Sequence, residues 1–509
     1  MRLRRLLRWT IGCSRRSPMP DLLCPIIEAA RSYCGHTAIV TPERTVSFDS
    51  LDRFTSIVAE KFVEAGVSAL DRVAILAGPS LTNILAQLAC LRIGAVACPI
   101  STRWTADMIE TALERLQPVL LVTDSADPQS LDRPAITCET ITEWLRTIPA
   151  PAPIERPPVR SVDQPATVIF TSGSSDEPKA ALLTLGNHYF NALGSNRQIF
   201  FRPGDRWLLS LPLYHVGGLA IVFRVLVGGG AVVVPPADME LTDAIARYRI
   251  SHLSLVSTQF RRLLGSDADL KYLASQLKAV LLGGSAIPAS LIRHALDYGL
   301  PVHKTYGMTE MASQVATTAP HDLPGRIDTS GRVLDYREVE ISDTREILVR
   351  GETRFAGYIE RDRLERPFDD EDWFATGDTG RLDSNGYLTV FGRTDNMFIS
   401  GGENIQPEQV EAALGKLDDV LEVLVVPVAE PEYGHRPVAF VRLSPGVMLD
   451  ERAVRLKLQP MLPRFAIPDR ILVWPKSAEG TSLKPSRADF TRLAERIVRE
   501  SGGLKFAED

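Results

Sequence analysis

Residues 166–180, ATVIFTSGSSDEPKA, run from apolar to polar within a few positions. Ala166 to Phe170 is short, apolar and rich in β-branched side chains, so it reads as a buried strand. From Thr171 to Glu177 every residue is hydroxylated, glycine or acidic, and Pro178-Lys179 closes the run. Glycine and hydroxyl side chains let backbone N–H groups approach phosphate oxygens, and a lysine supplies a point charge. The G-x-x-x-x-G-K-[ST] spacing of a Walker A loop is absent. Taken alone, the loop also fits an ordinary Ser/Gly surface turn.

Outward from this stretch the same kind of strand recurs: RVAILAG (72–78), VLLVTD (119–124), HLSLVS (252–257) and AVLLGGS (279–285). Amphipathic or apolar helical patterns separate them, among them SLTNILAQLACLRIG (80–94) and LTDAIARYRI (241–250). Continuous apolar strands alternating with helices predict buried parallel sheets and an α/β fold. The Pro-rich segment 148–160 reads as a loop and predicts a division of the large part into two. Polar, turn-rich β signals follow from Gly325 to Gly392. Beyond them lie a glycine loop at 400–407, a helix from Pro407 to Lys416, a strand pair at 420–428 and 436–443, and the strand RILVWP at 470–475.

The whole chain has 509 residues, 45% hydrophobic and 24% charged, which suits about three globular units and excludes collagen-like or wholly disordered chains. Its net charge of −6 argues against a protein that coats nucleic acid through bulk positive charge. No apolar run reaches the roughly 18–20 residues of a membrane span. The six cysteines all lie at or before Cys138 without zinc-like spacing, which suits a reducing compartment. Residues 1–18 carry six arginines and no acid. They read as a basic extension: a disordered tail, a segment upstream of a start at Met19, or an Arg-rich organellar import sequence.

Further polar clusters follow the first loop in order. YGMTE (306–310) offers a phenol, a hydroxyl and a carboxylate; WFATGD (373–378) ends on Asp378; GRTDNMFISGGENI (392–405) sets Arg393 and Asp395 before Gly401-Gly402. Each alone reads as a loop, but their joint order does not.

Together these segments resemble the adenylate-forming superfamily of acyl-CoA synthetases, luciferases and peptide-synthetase adenylation domains, over roughly residues 20 to 500. The resemblance implies a large N-terminal domain (19–395) of paired α/β sheets plus a β subdomain, and a small mobile α+β C-terminal domain (396–509). It implies ATP, Mg²⁺ and CoA as the reaction's partners, with a small carboxylic acid. Thr171, Ser172, Gly173, Ser174, Ser175 and Lys179 correspond to the phosphate loop. Gly283, Gly284, Ser285, Ala286, Tyr306, Gly307 and Met308 correspond to the adenine region. Thr309 corresponds to a phosphate-steering hydroxyl, Glu310 to the Mg²⁺ carboxylate, Asp378 and Arg393 to the ribose pair, and Asp395 to the hinge. Gly401 and Gly402 would run beside the pantetheine arm of CoA, and Lys484, in EGTSLKPSR, matches the family's catalytic lysine. The sequence departs from the family's glycines at Asp176, Ala180 and Leu483, which stiffens those turns without removing a reactive side chain.

The acid is read from LSLPLYHVGGLAIVFRVLVGGG (209–230). His215 and the glycines after it are expected to gate and floor an open pocket wall. Arg224 in its apolar run is either a helix arginine reaching water or a partner for a second substrate carboxylate. With Thr258, Ser313, Gln314 and Thr317 as added polar groups, the region looks most like the o-succinylbenzoate–CoA ligase family of menaquinone synthesis, whose acid carries a second carboxylate on an aromatic ring. A ligase for benzoate-, coumarate- or medium-chain acids, a stand-alone adenylation enzyme, and a nucleotide-binding pseudoenzyme remain the other readings. A cytoplasmic protein without stable membrane insertion is expected, and a homo-oligomer is compatible with the sequence.

Overall fold

A computed structural model describes residues 22–125, 133–148, 159–171, 178–284, 287–360, 363–475 and 486–500. Two large mixed sheets dominate. One has eight strands, with Arg72–Leu76, Val96–Pro99, Leu120–Thr123 and Ala135–Thr137 in parallel and Pro165–Thr171 added beside Val96–Pro99. The other has nine, its parallel centre formed by Thr37–Val40, Ala231–Val233, Arg206–Leu208, His252–Leu255, Ala279–Leu282 and Val302–Met308.

Helices cover both faces of each sheet, which explains the unbroken apolar runs of the strands. Val73 and Ile75 face the core between the sheets while Ala74 faces the outer core against helix Ala106–Leu116. Leu281 likewise points inward, while Val280 and Leu282 pack with helices Leu241–Tyr248, Ser257–Leu264 and Ala289–Asp297. Helix Leu81–Ile93 sits in the shared core and is buried along nearly its whole length, the polar Asn83, Gln87 and Arg92 included. Ser80 Oγ accepts from the Asn83 N–H at its start, and Gly94 at φ 79° ends it.

Strands from both sides of the Pro-rich segment enter both sheets, so 148–160 does not divide the large part. The physical reason is the crossover: long connections carry the chain from one sheet into the other and back. Thr37–Ser47 and Arg206–Val333 thus share a sheet, as do Arg72–Thr137 and Pro165–Thr184. Residues 1–21 and 149–158, which include the basic extension and most of that segment, lie outside the described residues.

A four-stranded antiparallel sheet follows, in the order Arg337–Ile341, Glu346–Gly351, Phe374–Leu382, Leu388–Arg393. The chain then enters a five-stranded sheet of its own. Val420–Glu430 and Gly434–Leu443 form its long hairpin, and Phe398–Ser400, Glu403–Ile405 and Arg470–Val473 complete it. Separate apolar clusters cover its two faces. This C-terminal unit touches the large one where Arg261 Nη1 meets Glu422 Oε2 at 2.5 Å and the Ser290 hydroxyl reaches Val420 O at 3.5 Å.

Candidate active site

Strand Val302–Met308 extends past its parallel neighbours, makes one tight turn at Thr309–Met311 and returns as Ser313–Thr317. The turn is strained: Ala312 and Ser313 hold φ values of 53° and 120°. A Cβ on Gly307 would fall 1.9 Å from Ser313 O, so only glycine lets the strands close. The turn projects half-buried Tyr306, Thr309 and Glu310 toward the four-stranded sheet and the edge of the eight-stranded one.

Two clusters result. In the first, the Tyr306 hydroxyl donates to Asp378 Oδ2 at 2.6 Å. Asp378 faces Arg393 across the hairpin Phe374–Leu382/Leu388–Arg393, with Arg393 Nη1 3.7 Å from Asp378 Oδ1 and Nη2 3.0 Å from Asp395 Oδ2. Burial, then the Asp378 charge, pushes the Tyr306 phenol well above its usual pKa, so it stays a donor. Gly283 and Gly284 end the neighbouring strand Ala279–Leu282, and a Cβ on Gly283 would lie 2.7 Å from Thr305 Cγ2. Glycine at 283 therefore leaves room for the Thr305 side chain, and the strand ends beside Tyr306 without a side chain of its own.

In the second cluster, Glu310 Oε1 accepts from the Tyr358 hydroxyl at 2.7 Å, and Lys179 Nζ lies 5.1 Å from the Tyr358 ring centroid. Thr171 and Lys179 face each other as strand partners at the base of loop 172–177. The loop thus joins two antiparallel strands, where a Walker loop opens a helix. Tyr358 is pushed above its usual pKa by burial and by Glu310. Among the described residues no group of three or more His, Cys, Asp or Glu side chains converges. A single carboxylate such as Glu310 fits Mg²⁺, which keeps most of its shell as phosphate and water oxygens.

The arrangement joins a lysine-flanked loop, a carboxylate fit for Mg²⁺, a glycine-ended strand and a tyrosine-bound aspartate paired with arginine. Family models match the chain at residues 26–359 (AMP-binding enzyme) and 409–481 (AMP-binding enzyme C-terminal domain). The chain belongs to the AMP-binding enzyme family. It is 30% identical over 490 residues to the 2-succinylbenzoate–CoA ligase of Bacillus mycoides, covering 92% of this chain and 100% of that one. The corresponding ligase of Geobacillus kaustophilus is 30% identical over 481 residues, 91% and 97% of the two chains. Among solved structures, the Bacillus subtilis o-succinylbenzoate CoA synthetase in complex with the acyl-adenylate intermediate aligns with a TM-score of 0.80, at 27% identity, over 93% of this chain and 98% of that one. The same enzyme in complex with ATP and magnesium ion aligns with a TM-score of 0.78, at 28% identity, over 89% and 96%.

Within this AMP-binding enzyme the acid region differs from the sequence expectation. Gly217 and Gly218 do not floor an open wall. They form the first turn of helix Val216–Gly228, where a Cβ on Gly218 would fall 2.1 Å from Pro212 O. Glycine there lets the helix close onto the preceding loop. His215 precedes the helix, its residue surface open to solvent while its ring packs edge-on to Tyr214 at 4.7 Å. Desolvation by the surrounding protein, with the Arg103 charge, lowers its pKa.

Arg224 does not reach water: it is 1% exposed. Its Nε donates to Ser195 Oγ at 2.9 Å, its Nη2 to Gln314 Oε1 at 2.6 Å, and its guanidinium lies 4.9 Å from the Trp207 ring. Its Nη1 has no partner, and burial lowers its pKa to about 9. Gln314 and Thr317 are not spare donors for a substrate, because Gln314 Nε2 donates to Thr317 Oγ1 at 2.8 Å and Thr317 pairs with Thr305 at 2.9 Å. Their polar groups hold Arg224 in place. Thr258 is half-buried in the first turn of helix Ser257–Leu264, which Gln259 anchors by donating to Ser210 O at 2.9 Å.

Gly401 and Gly402 form the tip of the hairpin Phe398–Ser400/Glu403–Ile405 at φ 59° and 88°. Asp395 lies in the short connection between the large and small units, next to Asn396, whose amide donates to Glu408 Oε1 at 2.5 Å. Ser172, Gly173, Ser174, Ser175, Asp176, Ser285, Ala286, Leu483 and Lys484 lie outside the described residues. Sequence reasoning missed Tyr358 and Gln406; the latter donates to Arg393 O at 2.7 Å and ties Arg393 to the small unit. Tyr358 carries only the alternation of FAGYIE, which signals a strand and nothing about Glu310.

Proposed function

We propose that this chain is an AMP-forming acid–thiol ligase that converts o-succinylbenzoate, ATP and CoA to o-succinylbenzoyl-CoA, AMP and diphosphate, a step of menaquinone synthesis. The observation that carries the choice of acid is Arg224, a buried guanidinium with Nη1 unpartnered and no carboxylate bonded to it among the described residues. A buried cation without a counter-ion is costly, and an incoming carboxylate supplies the missing charge. The ligase relatives aligned over nine-tenths of the chain support the same substrate.

The chemistry joins two anions, so its barrier is largely positional and electrostatic. Asp378, held by Tyr306 and Arg393, fixes the ribose hydroxyls, and the glycine strand end at Gly283–Gly284 takes the adenine. Lys179 and the loop that it closes orient the phosphates. Glu310, held by Tyr358, would carry Mg²⁺, which supplies neutralisation of the phosphate charge. The substrate carboxylate then displaces diphosphate from the α-phosphorus, forming the acyl-adenylate, with Lys484 bridging the two reacting anions. In the second half-reaction the small unit turns about Asp395, Lys484 leaves, and Gly401-Gly402 flank the thiol of CoA, whose sulfur displaces AMP.

ATP and CoA are cytoplasmic co-substrates, and the described cysteines are unpaired thiols suited to a reducing compartment. No helix among the described residues is long and apolar enough to cross a membrane. The test is mass detection of the thioester after incubation with ATP, CoA and a mixture of o-succinylbenzoate, benzoate, coumarate and octanoate. Accumulation of o-succinylbenzoyl-CoA ahead of the others supports the proposal; a dominant monoacid thioester overturns it.

A further inference from the structure

Beside Arg224 lies a second buried arginine that the reaction scheme does not use. Arg337 opens the first strand of the four-stranded sheet and is 6% exposed. Its Nε donates to Asp335 O at 3.0 Å and its Nη1 to the backbone carbonyl of Gln314. Gln314 is therefore gripped twice: Arg337 holds its main chain while Arg224 holds its side-chain oxygen. The fold makes room for this, since a Cβ on Gly194 would lie 2.5 Å from Arg337 Nη2.

Neither guanidinium has a bonded carboxylate among the described residues, and each leaves one nitrogen unpartnered, Nη1 of Arg224 and Nη2 of Arg337. Burial lowers the pKa of Arg337 to about 9, and the charge of Arg224 acts in the same direction. Two like charges thus sit in a low-dielectric seam around one glutamine; Asp335 and Glu352 offset part of the charge of Arg337 without an ion pair to it, and no such acid acts on Arg224.

We propose that Arg337 is a specificity-determining residue for the acid, a positioning residue that works through Gln314. It aims the Arg224 fork and adds to the positive charge that a substrate meets. An acid with a second carboxylate relieves the repulsion, whereas a monoacid leaves Arg224 uncompensated beside a second cation, so discrimination has a repulsive as well as an attractive part. This inference rests on the reading of Arg224 as partner of the second carboxylate.

The experiment compares o-succinylbenzoate with 4-oxo-4-phenylbutanoate, which lacks the ring carboxylate, for the parent enzyme, Arg224→Ala, Arg337→Gln, Arg337→Lys and Gln314→Glu. Arg337→Gln is expected to raise KM for o-succinylbenzoate about tenfold, to move KM for ATP less than about twofold, and to erode the preference for the diacid. Arg337→Lys should restore part of that preference. Gln314→Glu places a carboxylate against Arg224, so it should abolish the preference that Arg224 supplies; Arg337→Lys, which keeps the charge, carries the test of Arg337 if Arg337→Gln does not fold. Equal losses for both acids and ATP in Arg337→Gln, or a preference in Arg337→Lys lower than or equal to that of Arg337→Gln, overturn the role of Arg337, and a preference that survives in Gln314→Glu overturns the Arg224 reading. A parent enzyme with no preference for the diacid overturns the Arg224 reading itself. A preference lost in Arg224→Ala but kept in Arg337→Gln overturns only the present inference.

Discussion

Tyr306 and Asp378, 72 residues apart, are joined by a 2.6 Å hydrogen bond that ties the strand leaving the nine-stranded sheet to the four-stranded sheet. The bond makes the acid a fixed acceptor before nucleotide arrives. Tyr306→Phe should therefore weaken ATP binding about five- to tenfold, the range of one charge-assisted hydrogen bond. Isothermal titration without acid or CoA measures it; unchanged affinity would mean that Tyr306 does not orient Asp378.

Tyr358 holds Glu310 in the same way. Tyr358→Phe is expected to raise the Mg²⁺ concentration for half-maximal diphosphate exchange several-fold and to cost about 1–2 kcal/mol of stability. A magnesium titration and a denaturant melt give the two numbers independently.

Arg261 and Glu422 make an ion pair across the two units, and Glu422 keeps Arg442 at 3.0 Å when Arg261 is removed. Arg261→Ala should change stability by less than about 1 kcal/mol because the remaining pair still serves Glu422. It should nevertheless change the ratio of adenylation to thioester formation, measured as exchange rate against thioester yield. A constant ratio would remove this contact from domain rotation.

The buried histidines predict an acid limb of stability. His188, stacked on Phe223 and bonded to Thr167, has a pKa lowered by burial to about 3, and His303, bonded to Thr318 O, has one lowered to about 4. The folded chain keeps both neutral while the unfolded chain takes up protons below about pH 6.5, so their stability is present above that pH and is lost as pH falls through 6.5 toward 4 and 3. For His303 the loss is about 3 kcal/mol at the acid limit. Melting temperature against pH should fall through this window, and His188→Gln should flatten the slope.

The sheets were legible because strands such as 72–76, 120–123 and 279–282 are apolar on both faces. Asp378 and Arg393 were legible as a motif pair, and their register across one hairpin explains the fixed spacing. Tyr358 and Arg337 were not: each acts on a residue 48 or 23 positions away, through a strand whose local pattern carries no trace of the partner. The Gly217–Gly218 reading failed for another reason. His215 makes no side-chain capping bond, so nothing in the sequence marked the helix start that those glycines serve.

The central claim is that the chain adenylates an acid chosen by its second carboxylate, and ATP–diphosphate exchange without CoA measures it most directly. Exchange should be strongest with o-succinylbenzoate, fall steeply with 4-oxo-4-phenylbutanoate and vanish in Lys484→Ala while that variant still binds ATP. Equal exchange with the two acids, or exchange that persists in Lys484→Ala, would contradict the account.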